Sequence, residues 1–268
     1  MLDLSGKVAI VTGAGSVGPG WGNGRATATL LARQGARVFL VDVDKDAAEA
    51  THATIEAEGN HGVVYRCDML APAEVEAMVA ACVAQFGRLD ILVNNVGGSA
   101  PGDAVSMSEA VWDRQIDLNL KTVFLGCKYA IPVMTNQGAG AIVNVSSVAG
   151  LRNDGHGGRQ HVAYSASKAA VIQFTRSTAG AVVKQSIRCN TVVPGLMHTP
   201  LVEQRLAKTV AGGNAAALIA SRNARCPMGR MGTGWDVANA VLFLVSEEAA
   251  YITGTEIVVD GGLILASP

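Results

Sequence analysis

The sequence predicts an α/β protein built on a doubly wound, mostly parallel sheet of seven strands, with helices on both faces. Short apolar runs such as "KVAIVTG" and "ARVFLVDVD" are rich in β-branched residues and typical of strands buried on both faces. These runs alternate with longer segments of helical periodicity along the whole chain. That alternation is the order of a parallel sheet with crossover helices.

The first half of the chain contains four of these runs. Strands are predicted at 7–13, 36–44, 62–68 and 89–97, and helices at 24–35, 45–59 and 71–87. Gly35 stands where a left-handed residue commonly ends a helix.

The second half continues the same pattern. Helices are predicted at 108–134, 164–185 and 234–247, and strands at 140–147, 187–195 and 253–261. Pro132 is expected to bend or fray the first of these helices. The stretch 196–233 has the weakest pattern, and a substrate lid is expected at about 196–226. Because no linker interrupts the alternation, residues 1–268 are interpreted as one domain.

The composition excludes several classes of protein. Of 268 residues 49% are hydrophobic and 16% charged, and the net charge of −1 comes with no basic tract, so nucleic-acid binding is not expected. No apolar run approaches the roughly 18 residues that span a membrane, and the first residues do not resemble a signal peptide. Five cysteines without a C-x-x-C pair favour reduced thiols and a cytoplasmic location. The five histidines lack metal-ligand spacing, so no metal is expected.

A glycine-rich stretch, "TGAGSVGPGWGNGRA", follows the first predicted strand. Its first three glycines match the pattern G-x-G-x-x-G, but the Pro-Gly pair that follows prevents a helix from starting before Trp21. We therefore expect Gly13 to end the strand and Gly22 and Gly24 to open the helix. There, backbone N–H groups and the positive end of the helix dipole would bind a diphosphate, as in a Rossmann-type dinucleotide site.

Asp42 ends the second predicted strand, where a carboxylate can accept hydrogen bonds from the adenosine ribose. The same carboxylate would repel a 2′-phosphate, which favours NAD over NADP. The alternative is an aspartate that only caps the next helix. Arg25, Arg37 and Lys45 are close enough in sequence to leave some use of NADP open.

"YSASK" places Tyr164 and Lys168 four residues apart on a predicted helix, and therefore on one face. An ammonium beside a phenol favours the phenolate and lowers a pKa that is normally about 10. Such a tyrosine can exchange a proton with an alcohol near neutral pH. Alone, this spacing is more often a solvated helix face.

Further segments surround these residues in a fixed order: "NNVG", "DLNL", "IVNVSS", "VVPGLMHT" and "ITGTEIVVDGG". From Lys7 to Gly262 the chain resembles the short-chain dehydrogenase/reductase family, which are NAD(P)-dependent oxidoreductases with a Ser-Tyr-Lys-Asn active site. The opening loop resembles the family's T-G-x-x-x-G-x-G turn with five extra residues. Val96 stands where the family usually has alanine.

The resemblance implies four catalytic residues. Tyr164 matches the acid/base, and Lys168 matches the residue that tunes the tyrosine and holds the nicotinamide ribose. Ser147, rather than its neighbour Ser146, matches the serine that binds the substrate oxygen. Asn119 matches the helix asparagine that holds a water in a proton relay.

The resemblance also implies an NAD site. Asn94 would secure strand four, Asp68 would bind the adenine amino group beside Met69, and Thr199 and Met197 would contact the carboxamide region. The full set of implied cofactor-binding residues is Gly13, Gly22, Asn23, Gly24, Asp42, Val43, Asp68, Met69, Asn95, Val96, Gly97, Tyr164, Lys168, Pro194, Gly195, Met197 and Thr199.

The implied activity is the interconversion of a secondary alcohol and a ketone by hydride transfer with NAD. Two alternatives stay open. A 3-oxoacyl thioester reductase shares every motif but usually uses NADPH, which Asp42 disfavours. A dinucleotide-binding regulator without catalysis is disfavoured by the intact Ser147, Tyr164 and Lys168. The sequence does not name the substrate.

Two further expectations concern assembly and specificity. The small and apolar residues of the helices at 108–134 and 164–185 resemble those through which family members form homotetramers. The loop 152–161 is about four residues longer than in the family and carries His156, Arg159 and His161. We interpret this loop either as a tolerated surface insertion or as a loop that overhangs a substrate bearing a carboxylate or several hydroxyls.

Overall fold

The computed structural model describes residues 2–153, 160–207 and 212–266. Its main sheet has seven strands in the order β3-β2-β1-β4-β5-β6-β9, and every pairing is parallel. The strands are β1 Val8–Thr12, β2 Arg37–Asp42, β3 Gly62–Arg66, β4 Ile91–Asn94, β5 Gly140–Val145, β6 Ile187–Pro194 and β9 Glu256–Val259. The predicted fold class is confirmed.

Helices connect the strands and cover both faces of the sheet. They are α1 Asn23–Arg33, α2 Lys45–Ala57, α3 Pro72–Phe86, α4 Glu109–Ile116, α5 Thr122–Gln137, α6 Val162–Val182, α7 Ala215–Arg225 and α8 Gly234–Val245. The strand order reverses between β1 and β4, which are neighbours, so the crevice at their carboxyl ends is the topological switch point where ligands bind in such sheets.

The helix ends follow the local sequence. The Asp44 side chain caps α2 by accepting a hydrogen bond from the Ala47 N–H. Pro72 begins α3, where a missing N–H is tolerated, and Gly87 ends it in the left-handed conformation. Pro132 lies inside α5, yet the helix continues to Gln137 before Gly138 ends it. That end is three residues beyond the predicted one at 134.

Two apolar layers sandwich the sheet, because its strands carry buried side chains on both faces. One layer joins β1 and β2 to α1 and α8 through residues such as Val11 and Leu31. The other joins the sheet to α3, α5 and α6 through residues such as Ile10, Met78 and Val171. Burial on both faces explains why the strands have no apolar–polar alternation.

Three features after β4 were not predicted. A π-helical turn, Asp117–Lys121, separates α4 from α5 within the predicted long helix. Two short strands, β7 Met197–His198 and β8 Gly232–Thr233, pair parallel outside the main sheet. Between them lie the π-helical turn Val202–Leu206 and α7. In the described ranges, no helix is both long and apolar enough to cross a bilayer.

Candidate active site

The glycine-rich turn after β1 has the geometry of a diphosphate site. Gly13 adopts φ +63°, and α1 begins at Asn23 with Gly22 as its N-cap residue, as predicted. A Cβ on Gly24 would lie 1.8 Å from the Gly13 carbonyl oxygen, so only glycine fits there. The strand end and the helix start therefore approach closely, and the first N–H groups of α1 face the turn.

An unpartnered hydroxyl in this turn also fits a bound anion. Ser16 Oγ is buried and has no hydrogen-bond partner among the described residues. A Cβ on Gly22 would lie 3.5 Å from it, which places the hydroxyl beside the helix entrance. Gly15 serves packing instead, because a Cβ there would lie 2.6 Å from Ala47 Cβ on α2. Gly13, Gly22 and Gly24, with Ser16, would thus hold the diphosphate of a dinucleotide.

Asn95, the residue after β4, stabilises the glycine-rich turn that follows β1. Its Nδ2 donates to the carbonyls of Thr12 (3.2 Å) and Gly13 (3.1 Å), and its backbone N–H donates to Thr12 Oγ1 (3.0 Å). The side-chain amide of Asn95 is therefore directed at the protein, and its part in a cofactor site is to shape the turn.

Asp42 lies at the carboxyl end of β2, close to the glycine turn. Its Oδ2 accepts a hydrogen bond from the Gly15 N–H (2.9 Å) and its Oδ1 accepts one from the Asp44 N–H (3.0 Å). Each oxygen keeps a further lone pair for a ligand hydroxyl. Val43 beside it is 59% exposed, which leaves an apolar side chain open at this edge.

The three cations expected near Asp42 are directed elsewhere. Arg25 stacks over Trp21, with its guanidinium carbon 4.8 Å from the ring centroid. Arg37 stacks over Phe86 at 5.2 Å. Lys45 Nζ lies 3.9 Å from a carboxylate oxygen on its own helix.

The loop after β3 carries the other two residues predicted for the adenine. The Oδ1 of Asp68 accepts a hydrogen bond from the Leu70 N–H (2.9 Å), while its backbone N–H donates to Glu74 Oε2 (2.9 Å). Met69 is buried. This loop follows β3, at the outer edge of the sheet and next to β2.

The two serines after β5 have different environments. Ser146 is buried, and its Oγ donates to the carbonyl oxygen of Lys168 (2.7 Å). Ser147 is only partly buried and begins a 3₁₀ turn, where its Oγ accepts a hydrogen bond from the Ala149 N–H (3.2 Å). The Ser147 hydroxyl can still donate its proton, which agrees with its selection over Ser146.

Tyr164 and Lys168 share one face of α6, as their spacing predicts. The ammonium of Lys168 lies 5.9 Å from the centroid of the Tyr164 ring and donates to the Val145 carbonyl (2.8 Å). Burial of Lys168 lowers its pKa from 10.5 to about 8. A Cβ on Gly97 would lie 3.1 Å from Lys168 Nζ, so this glycine lets the backbone after β4 pass close to the ammonium.

Asn119 lies in the π-helical turn between α4 and α5 and is fully buried. Its Oδ1 accepts from the Gly98 N–H (2.9 Å), and its Nδ2 donates to the carbonyls of Gly98 and Gln115 (both 2.9 Å). A Cβ on Gly97 would lie 2.8 Å from Asn119 Oδ1. Asn119 therefore fixes the loop after β4 beside Lys168. Single π turns occur frequently at functional sites.

Asn94 belongs to a buried polar chain that runs from β4 through β5 to α6. Its Nδ2 donates to Asn144 Oδ1 (2.9 Å) on β5, and Asn144 Nδ2 donates to Thr175 Oγ1 (2.9 Å) on α6. A Cβ on Gly126 would lie 2.3 Å from Asn94 Oδ1, so α5 approaches β4 through a glycine. Asn94 therefore links the end of β4 to β5, which agrees with the role that the family resemblance implies for it.

The segment after β6 also lies at the carboxyl end of the sheet, where the candidate site is. Pro194 ends the strand, and the Gly195 N–H donates to the Val259 carbonyl (2.9 Å). A Cβ on Gly195 would lie 2.6 Å from Asp260 Cβ, so glycine allows this close approach. Met197 is buried in β7. Thr199 lines a 230 Å³ cleft together with two tryptophans, Trp21 and Trp235.

The predicted lid residues pack mostly among themselves. Val202, Ala207 and Leu218 form a small buried cluster, against which Leu206, Ala215 and Ile219 pack. In the lengthened loop, residues 154–159, with His156 and Arg159, lie outside the described residues. Arg152 donates to the carbonyls of Leu263 and Ala266, so it holds the C-terminal segment.

Sequence reasoning missed two contributors to this site. The first is the π-helical turn that presents Asn119, because one inserted residue shifts the register but leaves the helical period on either side unchanged. The second is the contact of Trp21 with Trp235, whose ring centroids are 4.5 Å apart. The available signal was a tryptophan in the glycine-rich loop and a second one at the start of a predicted helix.

The comparisons with known proteins cover nearly the whole chain. A family model described as enoyl-(acyl carrier protein) reductase matches residues 19–264. The chain is 38% identical over 266 residues to 3-oxoacyl-(acyl-carrier-protein) reductase FabG of Thermotoga maritima, covering 98% of this chain and 100% of that protein. It is 38% identical over 257 residues to cis-4-hydroxycyclohexanecarboxylate dehydrogenase of Sinomonas cyclohexanicum, covering 96% of each.

A solved structure gives the same assignment. A Burkholderia xenovorans protein, provisionally classed as a short-chain dehydrogenase/reductase, superposes with a TM-score of 0.91 at 49% identity and 99% coverage of both chains. Likeness of this extent in both sequence and fold establishes the family. The chain belongs to the short-chain dehydrogenase/reductase family of NAD(P)-dependent oxidoreductases.

Proposed function

We propose that this chain is an NAD-dependent oxidoreductase that interconverts a secondary alcohol and a ketone, with Tyr164 as the acid/base. The observation that carries the proposal is the buried Lys168 ammonium, 5.9 Å from the Tyr164 ring centroid and beside Gly97 at the switch point of the sheet. Burying a cation is costly, and an ionisable group whose pKa is strongly shifted by burial is a candidate functional residue.

Each residue of this group has a distinct task. Bound NAD supplies the acceptor for the hydride that leaves the carbinol carbon. Tyr164 as phenolate accepts the proton of the substrate hydroxyl, and the Lys168 charge favours the phenolate. Ser147 donates its hydroxyl proton to the substrate oxygen and stabilises developing negative charge there. Asn119 acts through the Gly98 backbone by holding the loop after β4 in place.

The preference for NAD rests on the surroundings of Asp42. Its Oδ2 accepts from the Gly15 N–H of the glycine turn and its Oδ1 from the Asp44 N–H, so a 2′-phosphate bound there would meet a carboxylate. Arg25 and Arg37 are stacked on aromatic rings, and Lys45 lies toward Glu49, so no cation in this part of the described structure is placed to compensate. Gly13, Gly22 and Gly24 would hold the diphosphate, and Asp42 would bind the adenosine ribose.

The relatives bear on the substrate class. The Sinomonas dehydrogenase is named for a cyclic secondary alcohol that carries a carboxylate. A substrate of that kind agrees with our hypothesis that the loop 152–161 contributes polar contacts. The second candidate is reduction of a 3-oxoacyl thioester, which the identity to the Thermotoga reductase favours.

We also propose that the chain works as a homotetramer in the cytoplasm. The five cysteines are buried free thiols, which agrees with a reducing compartment. Phe124 on α5 is 45% exposed and packs edge-on against Phe174 of α6, so apolar surface is available on these two helices.

The experiment is a comparison of kcat/KM with NAD and NADP over a panel of substrates. The panel contains plain cyclic secondary alcohols, hydroxycycloalkane carboxylates and sugars, with a 3-oxoacyl thioester and NADH or NADPH for the reverse direction. We expect NAD to be preferred, with the best rates on a secondary alcohol. Preference for NADPH together with the thioester would favour the second candidate. Binding of dinucleotide without turnover of any substrate would contradict both.

A further inference from the structure

The extended glycine loop (residues 14–21) is anchored to the segment that follows β7. A Cβ on Gly18 would lie 3.0 Å from Gln204 Cγ, and a Cβ on Gly20 would lie 3.2 Å from Pro200 Cγ. Gly20 has φ +109°, which glycine tolerates and which lets the loop run close to the proline. The extra residues therefore bridge the diphosphate turn and the segment that carries Thr199.

A stack of four side chains holds this loop from the other side. Trp21 packs against Trp235 at the start of α8, with ring centroids 4.5 Å apart and planes inclined by 51°. Arg25 lies over Trp21 and Arg33 over Trp235, each with its guanidinium carbon 4.8 Å from the ring centroid. Arg25 also donates to the Gly20 carbonyl (3.2 Å), at the end of the loop.

Hydrogen bonds connect both arginines to α2 or to the residue that ends it. Arg25 donates to Thr54 Oγ1 (3.0 Å), and Arg33 makes two hydrogen bonds to the Glu58 carboxylate (both 2.7 Å). In addition, a Cβ on Gly234 would lie 3.0 Å from the Trp21 carbonyl oxygen, so α8 starts directly against the loop.

Two hydroxyl groups, that of Ser16 in the loop and that of Thr199 beside it, indicate an anion-binding site next to the loop. Ser16 Oγ is buried without a partner in the described part of the chain and lies beside the N-terminus of α1. Thr199 lines a cleft together with Gly20, Trp21 and Trp235, so the bridged segment also presents a hydroxyl next to the loop. A diphosphate at the helix entrance would therefore lie between the glycine turn and the bridged segment.

We propose that Trp21 and Trp235 are positioning residues for NAD. Their contact holds the extended glycine loop against Pro200 and Gln204, so that the loop closes over the diphosphate and slows exchange of the cofactor. This inference rests on the proposed function. The contacts described for the two tryptophans are with each other, with Arg25 and Arg33 and with the cleft beside Thr199, so we assign them an effect through the loop.

The expected effect lies in cofactor dissociation. An aromatic pair flanked by two guanidinium groups stabilises a loop enough for its loss to raise the Kd of NADH about tenfold. Because loosening a closed loop mainly shortens the lifetime of the complex, the dissociation rate should account for most of the change. Saturating NAD should restore kcat, since the catalytic groups are unaltered.

The experiment measures NADH binding and release in the full-length protein by the fluorescence of the bound nicotinamide, at equilibrium and in stopped flow. The variants are Trp21→Ala, Trp235→Ala, the double variant and Trp235→Phe. Trp112→Ala is the matched control, because Trp112 lies on α4, is 41% exposed and has no part in the stack. Near-ultraviolet circular dichroism reports whether the two indoles couple in solution.

We expect each alanine variant to raise Kd and the dissociation rate about tenfold, and the effects in the double variant to be less than additive, because both variants remove the contact between the two tryptophans. Trp235→Phe should stay near wild type, which separates aromatic packing from general loss of structure. Unchanged NADH dissociation in both alanine variants, or an equal change in Trp112→Ala, would overturn the inference. Failure of the wild type to bind NADH would instead contradict the proposed function.

Discussion

Lys168 shows at the scale of one residue how the site departs from what stability alone would favour. Its ammonium is buried, and its hydrogen bond goes to the Val145 carbonyl. Burial lowers the pKa of this amine from 10.5 to about 8, which means that the folded protein holds the charge less readily than the unfolded chain does. Burying this charged amine therefore lowers the stability of the fold, and we attribute its presence to catalysis.

Lys168→Met is expected to stabilise the protein without added cofactor. The penalty of burying the charge is fully present below about pH 8, where both states are protonated. Between pH 8 and 10.5 only the unfolded state keeps the proton, so wild-type stability rises with pH in this window. We expect the variant to melt about 2–4 °C higher at pH 7, and the difference to shrink toward pH 10.

Thermal unfolding followed over that pH range checks this prediction. Lys184→Met is the control, because Lys184 is an exposed lysine just after α6 and should change Tm little at any pH. A loss of stability in Lys168→Met at pH 7 would mean that the buried amine stabilises the fold.

Asp42 is expected to set the choice of cofactor. Asp42→Ala removes the ribose acceptor and the repulsion of a 2′-phosphate, and we expect the ratio of kcat/KM for NAD over NADP to fall about tenfold or more, mainly through weaker NAD binding. Asp42→Asn separates the two effects, since the amide can still accept from the Gly15 N–H but carries no charge. Kinetics with both cofactors decide the matter, and an unchanged ratio in both variants would exclude Asp42 as the determinant.

At the scale of elements, the contact of α5 with β4 depends on a glycine. A Cβ on Gly126 would lie 2.3 Å from Asn94 Oδ1, inside the buried chain that also includes Asn144. Gly126→Ala is therefore expected to lower the free energy of unfolding by about 1–3 kcal/mol through overpacking.

Gly180→Ala in α6 is the matched control, because no atom lies within 4 Å of the added Cβ. There the substitution should stabilise the helix by about 0.5–1 kcal/mol. Denaturant unfolding gives the free energy of unfolding of both variants. Equal changes in that free energy for Gly126→Ala and Gly180→Ala would show that the Asn94 contact is unimportant.

Local sequence predicted most of the elements because their signals are local. β1, β2 and β5 were located within two residues by apolar runs, and α1 by the Pro-Gly pair that delays its start. The π-helical turn at Asp117–Lys121 escaped prediction because it preserves the helical pattern on either side. The strands β7 and β8 also escaped, since each is only two residues long.

At the scale of the whole molecule, the contacts between distant loops could not be predicted. Trp21 and Trp235 are far apart in sequence and meet only because α1 packs on α8. The division of labour between Ser146 and Ser147 likewise depends on the approach of α6 to the end of β5. Residue patterns identified the candidate site, whereas its supporting contacts required the fold.

The assembly is expected to be a homotetramer. Light scattering in solution should give about 110 kDa for four chains of 27.5 kDa each. Phe124→Lys on the exposed face of α5 should shift the mass downward, because a charge would be buried at the contact. A wild-type mass of one chain would contradict the prediction.

The central claim is that Tyr164 exchanges a proton with a secondary alcohol whose carbinol hydrogen is transferred to NAD. The most direct measurement uses the best alcohol of the panel, deuterated at the carbinol carbon, and follows the label by mass spectrometry of the reduced nicotinamide. We expect the wild type to place one deuterium in NADH for each ketone formed. Tyr164→Phe should form almost none while binding NADH nearly as tightly, since the ring is kept and only the acid/base is lost. Reduced nicotinamide without the label, or near-normal transfer by Tyr164→Phe, would contradict the account.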